Sequence, residues 1–527
     1  MSIAPIADML ARELAEADFH PRLPMHRRLY ESLRGAILSR RLGPGERLPS
    51  SRDLAAELGL SRNTVLSALN QLLAEGYVEA TIGSGTYVSH AIANAPVPIP
   101  VAVAREEARR RRNPGPGMLL SARGALLTGR RASEHVEIQP FAGQDDDYDG
   151  FPFKVWQRLQ ARQWRNARAE LLDYDHGGGH PALRRAIADY LRVSRSVNVT
   201  PDQVLITPGT QQSLDLCARL LADSGDLAWF ENPGYWAAER VLRGNGLQLR
   251  PVAVDAEGLA PSEDDFATRA KLIYVTPSHQ YPTGVVMSLA RRRALLEYAA
   301  RTGAWILEDD YDAEFRYEGR PVASLQGLDD AGRVIYMGTF SKVLYPGLRI
   351  GYMVVPPAIA ADMQTGLYDL HRPGQLLMQA ALAEFIQLGY FASHIRRQRQ
   401  VYAERRQRLT SVLREVLGEG IELSPVQTGM HLVVYLPAGA DDVALAEECA
   451  DAGLNVRPLS RYYLDAPGGR RGGLVIGYAY VKSPGIEPGA RKLGAVLGRL
   501  FAPAPKARAK RGGVAARTAP RRVGVAG

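Results

Sequence analysis

The stretch Gly338 to Gly351 reads GTFSKVLYPGLRIG and lies between two short apolar runs. The first run, Val334 to Met337, and the second, Ile350 to Val355, have the length and β-branched content of buried strands. Between them the chain carries an amine, two hydroxyls and a guanidinium. The pattern therefore predicts a turn that presents polar side chains at the edge of a buried sheet.

These polar side chains suit one small ligand. Lys342 leaves a buried strand, where desolvation makes an amine a nucleophile for an aldehyde. Thr339, Ser341 and Arg349 supply hydroxyls and a guanidinium that suit a phosphate monoester. An aldehyde and a phosphate on one molecule describe pyridoxal 5′-phosphate (PLP). The alternative interpretation is a surface lysine in a loop.

Length, charge and cysteine content limit the class of protein. A chain of 527 residues is too long for one core, so two or three domains are expected. Cys217 and Cys449 are the only cysteines and lie far apart in sequence, which argues against a disulfide framework and favours a reducing cytoplasm. Neither a membrane-spanning run nor a signal-peptide pattern is found, and we assign no metal site. A net charge of +9 permits a nucleic-acid partner.

Residues 20 to 90 have the pattern of a helix-turn-helix with a hairpin. Ser51 to Leu58 reads as a short helix that Gly59 ends, and Ser61 can cap a second helix. This second helix would enter the DNA groove. Its first residues all hydrogen-bond DNA readily: Arg62, Asn63 and Thr64. The segment YVEATIGSGTYV predicts two extended pieces around a tight turn.

The run LPSSRDLAAELGLSRNTVLSALNQLLAEGYVEATIGSGTYV resembles the winged-helix domain of the GntR family of bacterial repressors. By this resemblance DNA contacts carry over to Arg52, Arg62, Thr64, Gly83 and Gly85. The alternative interpretation is a small helical interaction domain with a hairpin. We expect residues 91–137 to form a flexible linker and residues 503–527 a disordered basic tail.

Residues 138–502 alternate between apolar runs and helical stretches. This alternation predicts a mostly parallel sheet covered on both faces, with ligands at the carboxyl ends of the strands. The predicted strands are 204–207, 227–230, 272–275, 305–307, 334–337 and 350–355.

Two polar groups follow the first two of these strands. Gly209, Thr210 and Gln211 lead straight into a helix, whose N-terminus suits a phosphate. Tyr235 follows the next strand and can stack on a flat aromatic cofactor. The alternatives are a strand-to-helix turn without a ligand and an ordinary buried tyrosine.

An acidic cluster follows the strand at 305–307. A carboxylate at a buried strand end is costly unless it is paired, and the protonated pyridine nitrogen of PLP would pair with Asp309. Tyr311 lies two residues further on and can reach the ring hydroxyl. The alternative interpretation is a solvated acidic loop.

The motifs SKVLYPGLRIGY, LEDDYDAEFRY, TPSHQYPTG and DYDHGGGHPALR together resemble the fold-type I aminotransferase domain. Joined to a GntR-type winged helix, the chain resembles the MocR subgroup of GntR regulators. The resemblance implies a Schiff base at Lys342, a ring-nitrogen partner in Asp309, a ring-oxygen contact from Tyr311 and stacking by Tyr235. It implies that these residues hold the phosphate: Thr210, Gln211, Ser341, Arg349 and, from the other subunit of a homodimer, Tyr174.

Two positions depart from the aminotransferase pattern. Tyr281 stands before Pro-Thr-Gly, where aminotransferases often carry an asparagine, although Gln280 is adjacent. The late strand near Val475 lacks the arginine that clamps a substrate carboxylate, and Arg470 and Arg471 lie in a glycine-rich loop. Sustained transamination is therefore not expected.

Three hypotheses follow. The first is a transcription regulator in which PLP, or a small amine or amino acid that condenses with it, controls binding to double-stranded DNA. Its targets would be genes of PLP, amine or amino-acid metabolism. The second is an aminotransferase with an accessory DNA-binding domain. The third is a DNA-binding protein whose body serves only for dimerisation, without a cofactor.

Overall fold

The computed structural model describes residues 4–15, 23–81, 84–91, 120–128, 141, 150–175, 177–319, 323–425, 427–464, 471–479 and 481–501. The chain divides into two compact units, Met1–Met118 and Leu119–Gly527. Among the described residues, every helix is too short or too polar to cross a bilayer.

The first unit contains a helix-turn-helix and a hairpin. Ser50 and Ser61 cap the two helices by accepting hydrogen bonds from the backbone N–H groups of Asp53 and Thr64. Gly59 ends the first of them with a left-handed φ of 64°. The predicted winged helix is confirmed, with these elements: α1 Ala4–Ala15, α2 Met25–Leu38, α3 Ser51–Leu58, α4 Arg62–Ala74, β1 Val78–Thr81 and β2 Gly85–Val88.

Helix α1 lies before the predicted start of this module at residue 20. Its buried side chains Ile6 and Leu10 join the same core cluster as Leu29, Leu33 and Val65. The spacing of these two residues places them on one helix face, which buries apolar surface against α2. The N-terminal segment therefore belongs to the packed module.

The second unit is built on an eight-stranded sheet in the order β3-β10-β9-β8-β7-β4-β5-β6. The pairs among β5, β4, β7, β8 and β9 are parallel, and the predicted mostly parallel sheet is confirmed. The strands are β3 Val204–Thr207, β4 Leu227–Asn232, β5 Gln248–Asp255, β6 Gly258–Leu259, β7 Leu272–Val275, β8 Trp305–Asp309, β9 Val334–Thr339 and β10 Gly351–Val354.

Strand β10 runs antiparallel to both of its neighbours, β9 and β3. The connection from β9 to β10, residues 340–350, is too short for the crossover that a parallel pair needs. The polar turn therefore stays at the carboxyl end of β9. Strand β5 escaped prediction because Arg250 and Pro251 interrupt its apolar pattern.

Helices cover both faces of this sheet. Adjacent strand residues enter different core clusters: Ile306 packs with Leu295, whereas Leu307 packs with Leu214. The helices of the second unit are Ala122–Thr128, Phe153–Arg165, Pro181–Arg195, Thr210–Leu221, Trp236–Gly244, Glu263–Phe266, Leu289–Thr302, Ala360–His371, Leu376–Gln387, Tyr390–Leu417, Asp442–Asp451 and Ser483–Phe501.

The helix Ala122–Thr128 lies within the predicted linker 91–137. Its Leu127 packs so closely on Gly244 that a Cβ atom there would lie 2.6 Å from Leu127 Cδ2. The prediction of an unstructured linker is therefore wrong for this segment. The predicted tail 503–527 lies outside the described residues.

A second, three-stranded antiparallel sheet has the order β11-β13-β12, with β11 His431–Tyr435, β12 Arg457–Pro458 and β13 Gly473–Gly477. The helices Tyr390–Leu417, Asp442–Asp451 and Ser483–Phe501 belong to the same part of the chain, and their buried side chains share one core cluster with this sheet. Its register pairs Arg457 with Val475.

Candidate functional site

A cavity of about 590 Å³ lies where the central strands of the large sheet end. Polar segments that follow β3, β4, β8 and β9 reach it, as expected for a parallel sheet. The structure brings nearly all of the body's predicted site residues to its lining: Gly209, Thr210, Gln211, Tyr235, Asp309, Tyr311, Ser341, Lys342 and Arg349.

Lys342 is half-buried on the turn after β9 and lines the cavity. Its charge acts on two buried groups. Burial raises the pKa of Asp312, and His279 and Lys342 oppose that shift. Burial lowers the pKa of His431 to about 3, and the charges of His279 and Lys342 lower it further. The amine of Lys342 therefore lies within electrostatic reach of two buried side chains, Asp312 and His431.

Asp309 is the last residue of β8 and is 3% exposed. Its Oδ2 accepts a hydrogen bond of 2.9 Å from the Tyr274 hydroxyl. Its Oδ1 is buried without a partner among the described residues. Burial raises the pKa of Asp309 to about 7, against the opposing hydrogen bond from Tyr274. A buried carboxylate with a free oxygen needs a cationic donor, and the protonated ring nitrogen of PLP fits it.

An anion site lies where the helix Thr210–Leu221 begins. Gly209 has φ of 139° there, and a Cβ atom on it would lie 3.5 Å from Nη2 of Arg349. Ser341 Oγ is buried without a partner among the described residues. A helix N-terminus, a guanidinium and a hydroxyl with an unused hydrogen bond together fit a phosphate group.

Aromatic side chains line the remaining wall. The ring of Tyr281 meets those of Tyr235 and Tyr311 edge to face, with centroids 5.5 and 5.9 Å apart. Tyr281 thus takes a packing role where aminotransferases often carry an amide. Gln280 does not replace that amide, because its Nε2 donates to Glu231 at 3.1 Å and to the Pro233 carbonyl at 2.8 Å.

Tyr174 is the predicted phosphate contact that the cavity lining does not include. Its side chain is 56% exposed, and the Arg372 guanidinium lies 5.5 Å from its ring centroid. Within one chain, Tyr174 therefore does not contribute to the cavity.

Arg457 lines the cavity and was missed by the sequence reasoning. Its Nη2 is buried and has no partner among the described residues. Arg457 pairs with Val475 across β12 and β13, so it lies beside the position where an arginine was expected. A two-residue strand has no recognisable sequence pattern, and the register that brings it to the cavity comes from packing.

The predicted recognition helix α4 presents its first residues to solvent. Arg52, Arg62 and Asn63 are exposed, and Thr64 is half-buried beside the Ser61 cap. Exposed basic and amide side chains at a helix start suit contacts with phosphates and base edges.

The hairpin carries Gly85, which has φ of 123°. A Cβ atom on Gly85 would lie 3.0 Å from Nε of Arg47, an exposed residue that was not predicted. Only the fold places Arg47 beside the hairpin, through its bridge to Tyr87. The other predicted glycine, Gly83, lies outside the described residues.

The fold and site define an aminotransferase-type PLP protein joined to a DNA-binding domain. Residues 145–479 match the family described as aminotransferase class I and II, and residues 25–88 match that of bacterial regulatory proteins, gntR family. The chain belongs to the MocR subgroup of GntR-family transcriptional regulators, which are PLP-dependent and bind DNA.

Three similar proteins support this family membership. A probable rhizopine catabolism regulatory protein MocR of Rhizobium meliloti is 41% identical, over 88% of this chain and 91% of its own. A pyridoxine biosynthesis transcriptional regulator PdxR of Corynebacterium glutamicum is 32% identical, over 85% and 91%. The α-aminoadipate aminotransferase LysN of Thermus thermophilus, solved with N-(5′-phosphopyridoxyl)-L-leucine, has a TM-score of 0.64 and 29% identity, over 73% and 98%.

Proposed function

We propose that PLP at Lys342, or a small anionic amine that meets PLP there, controls how the protein binds DNA. The observation that carries the effector part of this proposal is the buried, unpartnered Nη2 of Arg457 in the lining that also includes Lys342. When bound, PLP supplies an aldehyde that reacts with amines and a ring that withdraws electrons.

Each lining residue has one task toward PLP in this proposal. Lys342 offers its amine to the aldehyde, and Asp309 keeps a positive charge on the ring nitrogen. Tyr311 contacts the ring oxygen, and Tyr235 stacks on the ring. The phosphate is held by the helix start and the polar turn: Gly209, Thr210, Gln211, Ser341 and Arg349. The unpartnered oxygens of Asp309 and Ser341 support these assignments.

Arg457 would hold the anionic group of the effector. A guanidinium binds a carboxylate through two parallel hydrogen bonds, and burial strengthens this pairing. An amino acid with its amine toward Lys342 and its carboxylate toward Arg457 would therefore suit the cavity better than an amine without a carboxylate.

A regulator with such an effector would control genes for PLP, amine or amino-acid metabolism. The names of two relatives, a rhizopine catabolism regulator and a pyridoxine biosynthesis regulator, support both catabolic and biosynthetic targets. Such a regulator acts where its DNA is, in the cytoplasm.

The operator contacts would come from α3, α4 and the hairpin. We assign them to Arg52, Arg62, Asn63, Thr64, Gly83 and Gly85. The exposure of Arg52, Arg62 and Asn63 supports this assignment.

The protein would act as a homodimer in which Tyr174 reaches the phosphate in the other subunit. Phe153, Trp164 and Leu172 are 57, 65 and 63% exposed in the same stretch of chain as Tyr174, which supports a surface that a second copy covers. Light scattering of the purified protein tests the dimer, and a monomeric mass at micromolar concentration would reject it.

The central test compares DNA binding with and without PLP. Fluorescence anisotropy with the DNA that flanks the gene, at fixed salt, should give affinities for apoprotein and PLP-loaded protein that differ at least several-fold. Addition of L-alanine or β-alanine to loaded protein should shift the affinity again, whereas ethylamine should not. Identical affinities in every state would reject control by PLP.

The second candidate function is an aminotransferase with an accessory DNA-binding domain. Arg457 favours it, because a guanidinium with a buried Nη2 on the strand beside Val475 would serve as a carboxylate clamp. Repeated turnover of an amino donor with a keto acid would support this function, and a single half-reaction without turnover would favour the regulator.

A further inference from the structure

Three polar side chains form a connected group behind the cavity wall. Nδ1 of His279 lies 2.9 Å from Oδ2 of Asp312 and 3.0 Å from the Tyr311 hydroxyl oxygen. The side chains of His279 and Asp312 are each 1% exposed. Tyr311 lines the cavity, whereas the other two residues do not.

The two oxygens compete for one ring nitrogen. A ring nitrogen carries either one proton or one lone pair, and an ionised carboxylate only accepts hydrogen bonds. If Nδ1 carries the proton, it donates to Asp312 and cannot accept the hydroxyl proton of Tyr311. If Nδ1 carries the lone pair, it accepts a hydrogen bond from the Tyr311 hydroxyl. The buried carboxylate of Asp312 then lies against this nitrogen with no proton between the two acceptors.

The first arrangement is favoured because a buried carboxylate without a donor is costly. The other ring nitrogen of His279, Nε2, is buried and has no partner among the described residues. A Cβ atom on Gly284 would lie 3.2 Å from Nε2, and one on Gly429 would overlap the ring. The lack of a side chain at these glycines leaves room for the imidazole, whose Nδ1 lies toward Asp312.

We propose that Asp312 and His279 are positioning residues that direct the hydroxyl proton of Tyr311 into the cavity. Tyr311 would then donate its hydrogen bond to the anionic ring oxygen of PLP rather than to the protein. This inference rests on the proposed place of Tyr311 beside the ring oxygen. Asp312 acts only through His279, and His279 only through Tyr311.

The first experiment measures the tautomer of His279 in the apoprotein. ¹⁵N NMR of histidine-labelled protein distinguishes a protonated from an unprotonated ring nitrogen, and His279→Gln assigns the signals. We expect the Nδ1–H tautomer in the wild type and in Tyr311→Phe, and its loss in Asp312→Asn, whose amide can donate to Nδ1. An Nε2–H tautomer in the wild type would overturn the proposal.

The second experiment follows the visible absorbance of PLP-loaded protein. Asp312→Asn should move the band in the same direction as Tyr311→Phe, and the control Asp202→Asn, whose side chain is 97% exposed, should leave it in place. A band that moves in Tyr311→Phe but not in Asp312→Asn would overturn the proposal.

The two experiments separate this proposal from the proposed function. A protein that never binds PLP would reject the function, while the tautomer of His279 would still decide the direction of the Tyr311 hydrogen bond.

His431 lies beside this group, with its ring centroid 4.9 Å from that of His279. Signals of His279 and His431 that shift with stoichiometric Zn²⁺ would assign these side chains to a metal and overturn the proposal.

Discussion

Arg457 and Val475 are paired residues on the antiparallel strands β12 and β13. The pairing brings a half-buried arginine, with a buried Nη2, to the cavity from the strand next to the one that lacks an arginine. The lining of the cavity therefore includes the cationic side chain of Arg457 as well as that of Lys342.

Replacement of Arg457 should abolish the preference for amino acids over amines. In Arg457→Met, the hydrogen bonds to the carboxylate are lost, each worth about 1.5–3 kcal/mol when charged. Two such bonds together contribute about 3–6 kcal/mol, so we expect the affinity of PLP-loaded protein for the effector amino acid to fall by about 10²- to 10⁴-fold, as measured by spectral titration. Arg301→Met on an exposed helix position is the control. An unchanged preference would place the anion elsewhere.

Replacement of Lys342 should remove the visible absorbance of the loaded protein. Lys342→Ala lacks the amine that reacts with the aldehyde, whereas Asp309 and the phosphate contacts remain. PLP should therefore be released by gel filtration from the variant and retained by the wild type. Lys271→Ala, at an exposed position before β7, should behave as the wild type. Retention of the visible band in Lys342→Ala would move the reacting amine to another residue.

Replacement of Asp309 should stabilise the apoprotein in a pH-dependent way. The pKa of Asp309 is about 7 in the folded protein and about 3.9 in an unfolded chain. The folded state thus binds this proton more tightly, and stability falls as the pH rises between these values. The Asp309→Asn variant does not lose stability in this way as the pH rises. The amount by which its Tm exceeds that of the wild type should therefore be larger at pH 8 than at pH 5.

The size of this effect has an upper bound of about 4 kcal/mol at pH 8, at 1.36 kcal/mol per pKa unit. PLP should reverse the order, because in the proposed site its protonated ring nitrogen pairs more strongly with the Asp309 carboxylate than with an amide. A Tm difference between the Asp309→Asn and wild-type apoproteins that stays constant from pH 5 to pH 8 would contradict the raised pKa of Asp309.

A methyl group on Gly209 should weaken PLP binding. Gly209 has φ of 139°, and its Cβ would lie 3.5 Å from Nη2 of Arg349. Gly209→Ala therefore combines strain of about 1–3 kcal/mol with crowding of the phosphate group. Gly303→Ala is the control, since Gly303 has φ of 79° with open space around it. Both variants should lose stability, but only Gly209→Ala should raise the Kd for PLP.

Replacement of Arg62 should reduce operator specificity. Arg62 is exposed at the start of α4, and loss of a contact to a base edge costs about 1–3 kcal/mol. Arg62→Ala should bind flanking DNA more weakly than the wild type while random DNA is bound nearly equally, in anisotropy at two salt concentrations. Arg192→Ala, on an exposed helix of the second unit, should change neither. Equal losses on both DNAs would mean that Arg62 contacts phosphate only.

The sequence by itself determined the two domain classes and most of the predicted residues that line the cavity. Short apolar strands, serine caps and the polar turn at Lys342 are local patterns, and parallel strands bring the residues after them to one sheet edge. Asp309, Lys342 and Gly209 could therefore be named in advance as residues that come together at this edge.

Only the tertiary structure decided what lies opposite that edge. Arg457 reaches the cavity through strand register, His279 meets Tyr311 and Asp312 through the packing of two loops, and Arg47 reaches the hairpin through a single bridge. Each of these contacts joins residues whose own neighbours in sequence carry no periodic signal. Their positions follow from the burial of the whole core, which no short stretch of sequence specifies.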